Sequence, residues 1–159
     1  MARALIVGCG CRGQALGAAL GGAGYAVRGT SRSPARVLEL EQAGIDGLVA
    51  DPDRLGTLLP APAGVTVVCW LMGSAGDSPD VHGGRLRSLM EHLVDTPVRG
   101  LVYESAGTVE AALLERGASI VREASLTWHI RVEMVDTDPA SHDDWLAAMT
   151  AAVTRVLSA

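Results

Sequence analysis

Short apolar runs alternate with longer amphipathic stretches along this chain, and glycine or proline marks nearly every change. The first run, Arg3–Val7, leads directly into a glycine-rich turn and a small-residue helix over Cys11–Ala23, closed by Gly24. Tyr25–Thr30 reads as a second strand, and Pro34–Ala43 as a helix stopped by Gly44. Gly47–Ala50 is the third strand, and Asp53–Leu59 a short helix broken by Pro60 and Pro62. Val65–Trp70 is apolar nearly throughout, as a strand covered on both faces must be. A loop rich in Gly, Ser, Asp and Pro spans Gly73–Val81. Leu86, Leu89, Met90 and Leu93 repeat at i, i+3, i+4 and i+7, which predicts a helix over His82–Val94.

Val98–Tyr103 reads as the fifth strand. Thr108 caps a helix expected to end at Gly117, and Ser119–Arg122 is expected as a sixth strand. Leu126, Trp128, Ile130, Val132 and Met134 then alternate with Thr127, His129, Arg131 and Glu133. That period of two predicts an edge strand with one wet face, its pairing open to an antiparallel arrangement. Ser141 with Asp144 starts a last helix that buries Trp145, Met149, Val153 and Val156. Together these elements predict an α/β fold, a doubly wound, mainly parallel Rossmann sheet of six or seven strands, in a single compact domain over residues 1–159.

Chemistry concentrates in Gly8-Cys9-Gly10-Cys11-Arg12-Gly13, a G-x-G-x-x-G run between strand and helix. The first glycine permits a tight turn, the second a close approach of backbone to a pyrophosphate, and the third close packing of helix on strand. Free N–H groups and the helix dipole then face an anion. At the end of the second strand an NAD site usually places an acid on the ribose. No acid occurs before Glu39 here. Thr30, Ser31, Arg32 and Arg36 stand there instead, with Arg12 in the turn, and arginine's planar fork suits a 2′-phosphate. The expected ligand is therefore NADP(H) in preference to NAD(H). Ser33 capping a helix with Pro34 at its first position is an equally local use of the same segment.

Composition removes several alternatives. All thirteen basic residues are arginine. Without lysine there is no Walker A loop and no Schiff base. A net charge of −5 without a basic cluster argues against nucleic acid. No apolar stretch approaches the roughly 20 residues of a membrane span, and no cleavable signal pattern is seen. Cys9, Cys11 and Cys69 form no disulfide framework, which points to the cytoplasm. The spacing of Cys9 and Cys11 suits neither a disulfide nor a zinc site. Its place at a helix start leaves a redox-sensing role for Cys11 as an alternative to small-residue packing.

The chain resembles the atypical, extended-type short-chain dehydrogenase/reductase family, the epimerase/dehydratase-like group. The residues that carry the likeness are Ala4–Gly13, Thr30-Ser31-Arg32 and Leu48-Val49-Ala50-Asp51, and it weakens beyond Gly107. The resemblance implies a Rossmann fold with NAD(P) lying across the strand ends, and Asp51, Leu71 and Ser74 near the adenine and inner ribose. It also implies a Tyr-x-x-x-Lys dyad and a following substrate domain. Tyr103 is followed by Gly107 where the lysine would stand, so the dyad fails, and the chain ends about where a substrate domain would begin.

Weaker catalytic candidates are Ser105, Tyr103 and His82, all expected at the ligand side of the sheet. Glu104 joins them as a residue in reach of a nicotinamide ring. Each has a purely structural alternative in loop or helix-cap formation. Three roles remain open: a nucleotide sensor or regulatory module, a small NADPH-dependent reductase completed by a partner chain, and a scaffold that binds no dinucleotide. A half-exposed edge strand makes a homodimer the expected partner, beside the dinucleotide.

Overall fold

The computed structural model describes residues 2–75 and 78–158. Part of the expected Gly73–Val81 loop, positions 76 and 77, lies outside them. Six strands form one sheet in the order β3-β2-β1-β4-β5-β6. They are β1 (Arg3–Val7), β2 (Ala26–Ser31), β3 (Asp46–Val49), β4 (Val67–Trp70), β5 (Gly100–Glu104) and β6 (Arg131–Val135). Every pairing is parallel. Helices α1 (Cys11–Gly22), α2 (Pro34–Gln42) and α6 (His142–Leu157) cover one face; α3 (Leu55–Leu58), α4 (Gly84–Leu93) and α5 (Ala111–Trp128) cover the other.

Two buried clusters follow from this layering. Val7, Val68, Trp70, Leu101 and Tyr103 meet α4 and α5 on one side, while Ile6, Cys69 and Val102 meet α1 and α6 on the other. Adjacent residues of β4 and β5 therefore serve opposite cores, which is why these runs are apolar at every position.

Three expectations beyond Val98 are corrected. Gly117 does not end a helix, and Ser119–Arg122 is not a strand. Both lie inside the 18-residue α5, which begins after Glu110 rather than at a Thr108 cap. Leu114, Ala118, Val121 and Ala124 are its buried stripe at helical spacing. Gly117 is there for contact: a Cβ at this position would stand 1.9 Å from the Tyr103 hydroxyl.

The alternating segment Leu126–Val135 also divides. Its first part, through Trp128, is the end of α5. His129 turns the chain in the left-handed region at φ 57°, and only Arg131–Val135 forms the strand. β6 pairs parallel with β5, Gly100 opposite Arg131 and Glu104 opposite Val135. A long α5 accounts for this, because a helix returning the chain to the starting edge of the sheet makes the next strand parallel. The sheet accordingly has six strands and no antiparallel edge.

Candidate functional site

The chain leaves β1 through Gly8, which takes φ 83°, a left-handed conformation natural to glycine. Space enforces the same choice, since a Cβ would meet the Leu71 carbonyl oxygen at 2.7 Å and the Met72 sulfur at 2.8 Å. The turn is tied to β2: Cys9 N–H donates to the Thr30 carbonyl at 2.8 Å, and Gly8 N–H lies 3.4 Å from the Thr30 hydroxyl. Thr30 is fully buried and so serves the turn from beneath. Gly13 faces Cys9 and Ile6, where an added Cβ would come within 3.0 Å of the Cys9 sulfur. Gly10 differs from both. A Cβ there would meet no atom within 4 Å. It stands at the N-cap of α1, whose first turn has neither a side-chain cap nor an acid. The N–H groups of that turn lack helical acceptors.

Above this turn, at the C-terminal ends of β1, β2 and β4, lies a cleft of about 570 Å³. Gly8, Gly10, Arg12, Thr30, Ser31, Arg32, Arg36, Leu71 and Ser74, all expected from the sequence, line it. Gly13 and Cys11 do not; Gly13 packs α1 on β1, and Cys11 is exposed, 3.9 Å from the Arg36 guanidinium. Asp51 is not in the lining either. Its carboxylate accepts from the Asp53 N–H at 3.0 Å and shapes the turn after β3, leaving Ala50 and Pro52 as the wall. Met72 lies in the segment after β4 expected near the ligand, while Pro52 and Ala75 are lining residues that no local motif announced. Among the described lining residues there are three arginines and no carboxylate.

The end of β2 is built for its position. Ser31 accepts from the Ser33 N–H, and Ser33 caps α2 by accepting from the Arg36 N–H at 3.3 Å. This holds Arg32 and Arg36 at the rim, with Arg36 also bonded to Glu39 at 3.2 Å. The capping reading and the rim position are thus compatible.

Arg12 points elsewhere. Its guanidinium bonds to the Glu104 carboxylate at the end of β5, lies 5.2 Å from the Trp145 ring centroid and approaches Ser74 at 3.5 Å. Glu104 is fully buried. It also accepts from the Gly73 N–H and the Trp145 indole N–H, both at 2.9 Å. Burial pushes its carboxyl above the usual carboxylate range, against the opposing pull of Arg12 and these donors. Nothing local in the sequence signals this assembly, because its members come from α1, β5, α6 and the loop after β4.

The weaker catalytic candidates fall outside the cleft lining. Tyr103 and His82 are fully buried against α5, joined at 2.5 Å between the phenol oxygen and Nδ1. His82 ends a short 3-10 turn, Pro79–His82, instead of opening a helix. Its Nε2 faces the Met72 carbonyl at 2.8 Å, so Nε2 carries the hydrogen and Nδ1 accepts from Tyr103. Burial lowers the His82 pKa and raises that of Tyr103, which keeps both neutral. Ser105 donates to the Val135 carbonyl at 3.1 Å and faces a separate cavity beside α5. Burial also pushes the Cys9 and Cys69 thiols up to about 12. Among the described residues no cluster of metal-ligating side chains occurs, and no helix is long and apolar enough to cross a membrane.

This strand order, with a glycine turn opening α1 beneath a cleft at the β1–β4 switch point, defines a Rossmann-like fold. Its solved structural neighbours include a short-chain dehydrogenase/reductase superfamily protein, UDP-sugar 4-epimerases and reductases. A superfamily member from Agrobacterium tumefaciens with bound NAD superposes with a TM-score of 0.68 at 21% identity, covering 84% of this chain and 48% of that one. Triphenylmethane reductase of Citrobacter sp., complexed with NADP(H), gives 0.69 at 16% over 86% and 49%. Vestitone reductase from alfalfa gives 0.67 at 15% over 86% and 56%. The chain thus spans about half the length of these structures. No protein-family model and no curated protein matches it.

Proposed function

We propose that this protein binds NADP(H) in preference to NAD(H) and serves as a nucleotide-responsive module. The observation that carries the reading is the composition of the cleft: an uncapped helix N-terminus over Gly10 at one end, Ser31, Arg32, Ser33 and Arg36 at the other, and no carboxylate among the described lining residues. A pyrophosphate suits the first and a 2′-phosphate the second. Neighbours of the same fold bind NAD or NADP, which supports a nicotinamide dinucleotide.

A module is favoured over a reductase by the fate of the polar candidates. Tyr103 and His82 satisfy one another in the core, and Ser105 faces another cavity. With no lysine in the chain, the proton relay of a Tyr-x-x-x-Lys dyad has no counterpart.

Calorimetric titration with NADP⁺, NADPH, NAD⁺ and NADH tests the reading. Both phosphorylated forms should bind at least tenfold more tightly than their counterparts, and Arg32→Ala with Arg36→Ala should abolish the difference. Equal affinity for NAD(H) would remove the 2′-phosphate site, and steady NADPH oxidation with a carbonyl substrate would replace the module by a reductase.

A further inference from the structure

We propose that the cleft recognises the 2′-phosphoadenosine diphosphate half of its ligand and ignores the nicotinamide ring, and with it the redox state. This rests on the NADP(H) reading above. A doubly wound sheet of this order offers two mononucleotide-sized halves, one over β1-β2-β3 and one over β4-β5-β6. The first half is open here and the second is shut.

Two loops close it by direct backbone contact. A Cβ on Gly73, after β4, would stand 2.1 Å from the Ala106 carbonyl oxygen, and one on Gly107, after β5, equally near the Gly73 carbonyl oxygen. Val109 N–H donates to that same Gly73 oxygen at 2.9 Å, and Gly73 N–H donates to Glu104. The crevice between the ends of β4 and β5 is therefore stitched by main chain, with no width left for a ring.

Side chains complete the closure. Arg12 spans from α1 to Glu104 over the ends of β1 and β4, and Trp145 of α6 backs the pair. Both Glu104 oxygens already accept hydrogen bonds, Oε1 from Gly73 and Oε2 from Arg12 and Trp145. Among the described residues no buried side-chain polar atom lacks a partner. Among the described residues, no buried side-chain polar group is left over for a carboxamide. The cavity at Ser105, of about 560 Å³, shares no lining residue with the cleft and does not extend it. Opening the second half would require parting an ion pair with a fully buried carboxylate, which costs more than a ring stacked in water would return.

The test titrates the full chain with NADP⁺, NADPH and 2′-phosphoadenosine 5′-diphosphoribose, which is the same molecule without nicotinamide. All three dissociation constants should agree within fivefold, and bound NADPH should keep the emission maximum and intensity of the free nucleotide. A preference beyond fivefold for either dinucleotide over the truncated ligand, or for one redox form over the other, overturns the inference while leaving the NADP(H) site standing. A blue-shifted, enhanced NADPH emission does the same. If none of the three binds, the NADP(H) reading itself fails and this inference with it.

Discussion

The guanidinium of Arg12, carried within the glycine run on the first turn of α1, is bonded to the fully buried carboxylate of Glu104, 92 positions later in the chain. Removing one partner of such a pair strands the other. Arg12→Ala should therefore destabilise the protein by about 3 kcal/mol, because Glu104 keeps only neutral donors. Glu104→Gln in the Arg12→Ala background should recover a large part of that loss. Urea denaturation of the two single variants and the double variant measures the coupling; additive effects would mean that the pair carries no energy in solution.

Gly117 lies directly against the Tyr103 hydroxyl in the core that β5 shares with α4 and α5. Alanine normally improves a helix interior by up to about 1 kcal/mol over glycine. Here the added methyl would lie 1.9 Å from the phenol oxygen and 2.6 Å from the ring carbon that bears it. Gly117→Ala should instead cost about 1–3 kcal/mol through overpacking. Gly21→Ala on α1, where a Cβ meets no atom within 4 Å, is the control and should raise the melting temperature slightly. Calorimetric melting of both variants gives the comparison, and a stabilised Gly117→Ala would refute the close contact.

That glycine also explains what the sequence did and did not disclose. The β1–turn–α1 unit is legible because the G-x-G-x-x-G spacing is local, although the atoms that Gly8 meets, in Leu71 and Met72, lie far along the chain and Gly10 meets none. The rim at Ser31–Arg36 was legible for the same reason. Gly117 looked like a helix stop because its true reason, Tyr103, is 14 positions away and in another element. Once the helix was cut there, Ser-Ile-Val-Arg at 119–122 passed for a strand, since short apolar runs fit either period. The Leu114, Ala118, Val121 and Ala124 spacing was the signal that would have kept α5 whole. Direction at β6 followed from that error. The motif places Arg12 at the cleft, where it is found, but nothing within the motif signals its bond to Glu104 at the end of β5.

The three glycines of the turn predict separable phenotypes. Gly8→Ala forces a left-handed residue against the Leu71 carbonyl and should lower stability markedly. Gly10→Ala meets open space, so its stability change should stay within about 1 kcal/mol. Yet its methyl projects where a pyrophosphate would approach, so NADPH affinity should fall at least tenfold. Paired melting and titration experiments decide the matter. Unchanged affinity in Gly10→Ala would place the pyrophosphate elsewhere.

His82 gives the protein an acid-sensitive contribution to stability. It is buried and neutral, with Nε2–H donating to the Met72 carbonyl and Nδ1 accepting from Tyr103. Burial lowers its pKa in the folded chain, so the unfolded chain binds the proton more readily. Stability from this group is complete above the unfolded value of about 6.5 and declines as pH falls below it. Glu104 acts with the opposite sign. Its raised pKa makes the folded chain the better proton binder, so its contribution falls as pH rises from about 4.3. The two windows overlap, and the raw pH profile mixes them. A His82→Gln variant retains Glu104 and cancels that part. The difference between wild-type and variant unfolding free energies, measured by urea at intervals from pH 5 to 8, should be flat above pH 7 and should shrink steadily below 6.5. A difference independent of pH across that range would mean that His82 titrates normally and is not held in the core as described.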